Sequence, residues 1–169
     1  MMQPNRDEGL QRRPRVPRSA LFWFSIAAFV VIFALLPWTI GRRGRQIGWR
    51  GGYPGPLNRL GLIAVGLGTA GWGWSLAAHN GPGETVAVSL VPEDIITAGP
   101  YRFSRDPMYV SEMATVIGWM LFFGSPGLLA GCVALAGGMR YAVGREEKTL
   151  ASRFGDSWHE YAAKVPRWL

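Results

Sequence analysis

Hydrophobic and polar positions along this chain fall into long blocks rather than short alternations. Residues 20–40 carry no charge, and a helix of that length, at about 1.5 Å per residue, crosses a hydrocarbon layer of roughly 30 Å. A second apolar block covers residues 60–78. A third, residues 113–139, is too long for one pass and is interrupted by Gly124-Ser125-Pro126-Gly127. Gly and Pro together reverse a chain, so this block reads as a tight helical hairpin. Each arm holds about 16 apolar residues, near the lower limit for spanning. The pattern therefore predicts an all-α fold: a polytopic membrane helix bundle of about four spans, ending in a helical hairpin. Beyond the hairpin, Leu150, Phe154, Trp158, Tyr161 and Val165 recur at steps of three and four, one face of a helix. Gly155 is expected to interrupt that helix, with Asp156 or Ser157 capping a second short one. This amphipathic C-terminal segment would lie on the membrane surface, as an anchor or as a lid over a site there.

Small residues refine the picture. Ala64 with Gly68, Gly66 with Ala70 and Gly71 with Ser75 stand four apart, and such pairs let helix backbones approach closely in lipid. They place the second span at the centre of the bundle. Gly127 with Gly131 and Ala134 with Gly138 predict similar packing for the fourth. The run Gly66-Leu67-Gly68-Thr69-Ala70-Gly71 spells a dinucleotide-binding fingerprint, but that motif works only between a strand and a helix start. Inside an apolar helix it is a packing surface. Three segments follow: a disordered basic tail over residues 1–18, two spans and an Arg/Gly-rich connection over 19–89, and the hairpin region over 90–169.

Charge changes the picture less than its size suggests. The net charge is +7, with 49% hydrophobic and 17% charged residues. Basic residues that flank membrane spans account for it without nucleic acid, because Lys and Arg gather on the cytoplasmic side and are drawn to anionic lipid. The tail supplies five, and residues 79–107 and 140–169 supply eight. That predicts both termini inside, in a multi-pass protein of the cell (inner) membrane. Five arginines at 42, 43, 45, 50 and 59 stand against the rule. The first apolar block is too long for a signal-peptide core, and Pro37-Trp38-Thr39-Ile40 provides no small-residue cleavage site, so it reads as an uncleaved anchor. Cys132 is the only cysteine, a small packing residue that permits no intrachain disulfide. His79 and His159 are too isolated for a metal pair, and no metal is expected.

Chemistry concentrates at the ends of the hairpin. Gly99-Pro100-Tyr101-Arg102 and Arg105-Asp106-Pro107-Met108-Tyr109 precede its first arm, Glu112 lies about one turn further in, and Arg145-Glu146-Glu147 follows its second. Taken singly, the arginines are headgroup anchors and the acidic pair is a solvated helix face. Glu112 differs, because a carboxylate in an apolar span is costly and marks a functional site unless it snorkels or pairs with an Arg. The fold-back of the hairpin should bring these groups together at one membrane face.

These residues also carry a resemblance. The order Gly99-Pro100-Tyr101-Arg102, Arg105, Pro107 and Tyr109, then a hairpin, then Glu146-Glu147, Leu150, Phe154-Gly155, Tyr161 and Val165-Pro166-Arg167 is similar to the integral membrane methyltransferases. That family includes isoprenylcysteine carboxyl methyltransferase and phosphatidylethanolamine N-methyltransferase, with G-P-Y-R-x-x-R-H-P-x-Y and E-E-x-x-L-x-x-x-F-G as its pattern. The match covers about residues 90–169. It implies S-adenosylmethionine as cofactor, held on the cytoplasmic side by Arg105, Asp106, Pro107, Tyr109, Glu146 and Glu147 with Tyr101 and Arg102 in support. It also implies a lipophilic substrate entering from the membrane lipids, with Glu112 and Arg167 on the substrate side. The residue types suit such a cofactor: bases for its carboxylate, acids for its ammonium and ribose hydroxyls, aromatic surface for its ring and sulfonium. Methyl transfer needs mainly alignment and exclusion of water, so no triad or metal cluster is required. One position departs. Asp106 stands where the family has His, and a carboxylate accepts hydrogen bonds but cannot be a neutral imidazole donor.

Overall fold

A computed structural model describes residues 18–78 and 95–168. The basic tail, His79 and the segment boundary at residues 89–90 lie outside the described residues. The architecture is an all-α membrane bundle. One continuous helical rod comprises α1 (Arg18–Phe29), a wider π-helical stretch (Val30–Leu35) and α2 (Leu36–Arg43). A two-residue antiparallel ribbon, β1 (Trp49–Arg50) and β2 (Tyr53–Pro54), leads into α3 (Pro56–Ala78). A 3₁₀ turn (Gly99–Arg102) then precedes α4 (Pro107–Phe123), α5 (Pro126–Phe154) and α6 (Asp156–Lys164). Three helical segments are long and apolar enough to cross a membrane: Phe22–Arg43, Pro56–Ala78 and Pro126–Phe154. α4, at 17 residues, is shorter.

The hairpin is longer and more asymmetric than its apolar run indicates. α4 starts at Pro107 and ends at Gly124, a left-handed residue (φ 56°, ψ 38°). Ser125 caps α5 by accepting a hydrogen bond from the Leu128 N–H, and Pro126 takes the first helical position, where a missing N–H costs nothing. α5 then runs unbroken for 29 residues, so Glu146 and Glu147 ride on the spanning helix itself rather than after it. Gly155 (φ 50°) ends α5 and is itself the N-cap of α6, leaving Asp156 in the first turn. The role assigned to Asp156 or Ser157 from sequence falls to the glycine, because only its backbone adopts that conformation cheaply.

α3 and α4 form the closest pair. A Cβ at Gly61 would overlap the Gly118 carbonyl and the Phe122 backbone, and one at Gly68 would strike Thr115 and Ser111. The central position expected of the second span holds on this face. Gly66, however, points into open space, as do Gly131 and Gly138 of α5. Four-residue spacing marks a helix stripe but not the direction in which it faces.

Rings fill the core. Phe29 stacks on Trp72 with centroids 4.1 Å apart, and Phe33, Leu76, Val116 and Cys132 complete that cluster. A second cluster, Phe122, Phe123 and Leu128 against Trp49 and Trp119, closes the hairpin end. Pro37 has no N–H to offer the carbonyl four residues back. The Trp119 indole donates to that carbonyl, of Phe33, at 2.9 Å. Apolar side chains such as Trp23, Phe24, Val31, Leu57, Leu67 and Val133 are exposed, the outer surface expected where lipid is the solvent.

Candidate functional site

The polar groups gather where α4 begins and the last turns of α5 pass. Arg105 Nη1 lies 2.8 Å from Glu147 Oε1. Arg167, from the chain after α6, engages the same carboxylate with two nitrogens, Nε reaching Oε1 at 3.0 Å and Nη2 bonding Oε2. One carboxylate thus pins two guanidinium groups drawn from stretches 20 and 42 residues away in sequence. One side of this arrangement is closed by α6: the Arg105 guanidinium sits over the buried Trp158 ring at 5.8 Å, and the Tyr161 hydroxyl donates to the Tyr101 carbonyl at 2.8 Å. The chain after α6 is stitched down as well. Arg105 N–H donates to the Pro166 carbonyl at 2.9 Å, and Ser104 Oγ donates to the Arg167 carbonyl at 2.8 Å.

Local sequence explains this geometry. Pro107 opens α4, and Asp106 ahead of it has no side-chain capping bond. The Asp106 N–H donates to Ser104 Oγ at 3.1 Å, a bond that fixes the backbone ahead of α4. Ser104 is almost wholly buried. Sequence reading passed over it, and the only signal was its position three residues before the start of a Pro-initiated helix.

Two buried polar atoms have no hydrogen-bond partner among the described residues: Arg105 Nε and Asp106 Oδ2. A buried donor and a buried acceptor left without partners are each costly, on the order of 1–3 kcal/mol. Burial, with Glu146 and then Glu147 nearby, pushes the Asp106 carboxyl up from 3.8 to about 7, against the opposing pull of Arg105 and Arg167. No ion pair joins Asp106 to Arg102 or Arg105 among the described residues. Tyr161 is pushed up to about 12 by burial and by Asp106.

The remaining sequence-derived residues are distributed as follows. Tyr109 donates to Glu146 Oε2 at 3.4 Å, linking α4 to α5. Tyr101 and Pro107 are buried, while Arg102 points from the 3₁₀ turn into solvent. Glu112 is half-buried on α4 and hydrogen-bonded to the Trp72 side chain of α3; an indole rather than an arginine is its neighbour. On the face of Leu150, Phe154, Trp158, Tyr161 and Val165, Trp158 is buried and the other four are half-buried. Among the described residues, no group of three or more metal-ligating side chains occurs.

A model of the phospholipid methyltransferase family matches residues 58–157, more than half of the chain. The chain is 31% identical over 114 residues to a nickel-cobalt-cadmium resistance protein of Alcaligenes xylosoxydans xylosoxydans, covering 67% of this chain and 49% of that protein. It is 30% identical over 124 residues to a cobalt-zinc-cadmium resistance protein of Cupriavidus metallidurans, covering 72% and 53%. An uncharacterized protein of Haemophilus influenzae is 33% identical over 63 residues, its whole length but 37% of this chain. The chain spans about half the length of the two resistance proteins. No solved structure matches it.

Proposed function

We propose, from the premise that the chain belongs to the phospholipid methyltransferase family, that it is a membrane-embedded methyltransferase. Its cofactor is S-adenosylmethionine and its acceptor a lipophilic or amphiphilic molecule bearing an amine, carboxylate or thiol. The observation that carries this reading is the pair of unpartnered atoms, Arg105 Nε and Asp106 Oδ2, buried beside the Glu146–Glu147 doublet within the matched segment. A ligand with both an anionic and a cationic group would satisfy both.

The amino-acid end of the cofactor has that character. Arg105, with Arg102 at the rim, would hold its carboxylate; Asp106 and Glu146 would take its ammonium and ribose hydroxyls; Tyr101 and Tyr109 would offer ring surface. The cofactor supplies an electrophilic methyl on a sulfonium. Glu147 acts on the protein side, fixing Arg105 and Arg167 in orientation, and α6 with the following residues keeps water from that side. Glu112 lies one helical turn deeper than Tyr109, at the depth to which the polar end of an amphiphile would reach, and with Arg167 forms the acceptor side. Good alignment of donor and acceptor alone lowers a barrier by up to about 7–11 kcal/mol.

The site pole faces the cytoplasm in this reading, since the N-terminal tail and the segments 79–107 and 140–169 carry most of the Lys and Arg of the sequence. The test is an assay of purified protein with methyl-labelled S-adenosylmethionine and a lipid extract. Label should enter a lipid-soluble species with wild type and not with Glu146→Ala. Absence of label above the Glu146→Ala background across total cell extracts would contradict the reading.

A second reading, a catalytically degenerate scaffold of the same fold, is favoured by Asp106 in the position of the family's His. Asp106→His separates them: an enzyme keeps or gains methyl transfer, and a scaffold gains none.

A further inference from the structure

At the end of the bundle away from Arg105 and Glu147 there is a concavity. The chain between α2 and α3 folds over the hairpin turn: Ile47 N–H donates to the Gly124 carbonyl at 3.1 Å, the Trp49 indole donates to the Phe122 carbonyl at 2.8 Å, and the buried Asn58 amide donates to the carbonyls of Ile47 (3.0 Å) and Leu121 (2.9 Å). These bonds build a fixed cap rather than a loose loop. Between it and α2 opens a cavity of about 460 Å³ lined by Trp38, Arg42, Gln46, Trp49, Gly52 and Phe123.

Its chemistry is one-sided. Residues 41–59 contain five arginines and no Asp or Glu. The Arg42 guanidinium lies over the Trp38 ring at 5.5 Å, a cation–π contact in which its N–H groups can still donate to an acceptor. Ring walls continue into the core, where Trp49 stacks on Phe123 and Trp38 meets Phe123 edge-on. The Gln46 amide donates to the Gly41 carbonyl at 3.3 Å, which keeps it at the cavity edge.

The position matters as much as the lining. Trp38 and Trp49 sit at the end of the first span, the depth of the lipid headgroups. Leu35 and Val31, about one and two turns before Trp38 on the rod, are exposed and apolar, a track for a hydrocarbon chain next to the cavity. A free anion would use the guanidinium and leave that track idle; a diacyl phosphate would use both.

We propose that Trp38, Arg42, Gln46 and Trp49 form a headgroup site for an anionic phospholipid in the leaflet opposite the methyl-transfer pole. Arg42 binds the phosphodiester and the Val31–Leu35 side of the rod carries an acyl chain. The site also gives the Arg-rich connection a task at the face where basic residues are otherwise disfavoured.

The test is native mass spectrometry of the full chain in detergent, titrated with dioleoylphosphatidylglycerol, dioleoylphosphatidylcholine or inorganic phosphate. One phosphatidylglycerol should be retained, about tenfold more tightly than phosphatidylcholine, and Arg42→Ala should weaken it about tenfold, the effect of losing one charge-assisted contact. Arg50→Ala, on the same cap but outside the cavity, should stay within about twofold. Arg42→Gln keeps a polar side chain of similar reach and serves as a second variant should the alanine variant melt early; it too should bind weakly. Equal retention of phosphatidylcholine, an equal loss with Arg50→Ala, or wild-type binding by Arg42→Gln would overturn the site. Displacement of the lipid by inorganic phosphate at equal concentration would overturn the lipid as its occupant.

Discussion

Asp106 shows how one side chain couples site and stability. Its carboxyl, near 3.8 in an unfolded chain and about 7 here, is held protonated by folding. Such a group contributes stability that is complete below about pH 4 and is lost as pH rises to 7. Asp106→Asn removes that loss, so its melting temperature should exceed that of wild type at pH 8, with the gap narrowing steadily toward pH 4. Thermal unfolding in detergent across that range checks this, and a gap independent of pH would refute the cause given. Glu147 is the opposite case, a carboxylate that satisfies two cations. Glu147→Gln should cost about 2 kcal/mol, a drop in melting temperature of roughly 4–8 °C, trimmed by the solvent that reaches Arg167. The sequence offered both as candidates, Glu147 by residue type and placement and Asp106 through the family resemblance. It did not reveal Ser104, whose hydroxyl accepts the Asp106 N–H and donates to the Arg167 carbonyl, because a serine in a polar turn carries no mark of burial.

At the level of elements, the contrast between Gly68 and Gly66 is informative. Gly68→Leu should destabilise the bundle by about 2–3 kcal/mol or prevent its assembly, because its Cβ meets the α4 backbone. Gly66→Leu, two residues away and facing outward, should leave the melting temperature within about 2 °C, a surface-level effect. A single-helix hydrophobic pattern cannot separate these two, since in lipid the outward face is as apolar as the inward one. The rod from α1 to α2 gives a second case. Trp119→Phe keeps the ring and removes the donor to the Phe33 carbonyl left open by Pro37, and should cost about 1–2 kcal/mol in detergent unfolding. Periodicity located this span, but nothing in the sequence linked Pro37 to a tryptophan 82 residues further on.

Over the whole molecule, the turn chemistry of Gly124-Ser125-Pro126 does most of the organising. It returns α5 alongside α4 and so brings Glu146 and Glu147 back to the level of Arg105, Asp106 and Tyr109. This was legible because Gly, Ser and Pro at a helix reversal have few other uses. The ribbon of residues 49–54 and its cap over the hairpin end were not legible, since they are fixed by side chains such as Asn58 that bond across long sequence gaps. The result is a molecule with two chemically distinct ends, a mixed-charge site at one and a purely basic, aromatic cavity at the other. The account as a whole rests on the first of these. Isothermal titration of the purified protein with S-adenosylmethionine measures it directly: saturable binding by wild type and at least about tenfold weaker binding by Glu146→Ala, with its melting temperature retained, is the predicted result. No saturable heat from wild type, or equal affinity in a folded Glu146→Ala variant, would contradict it.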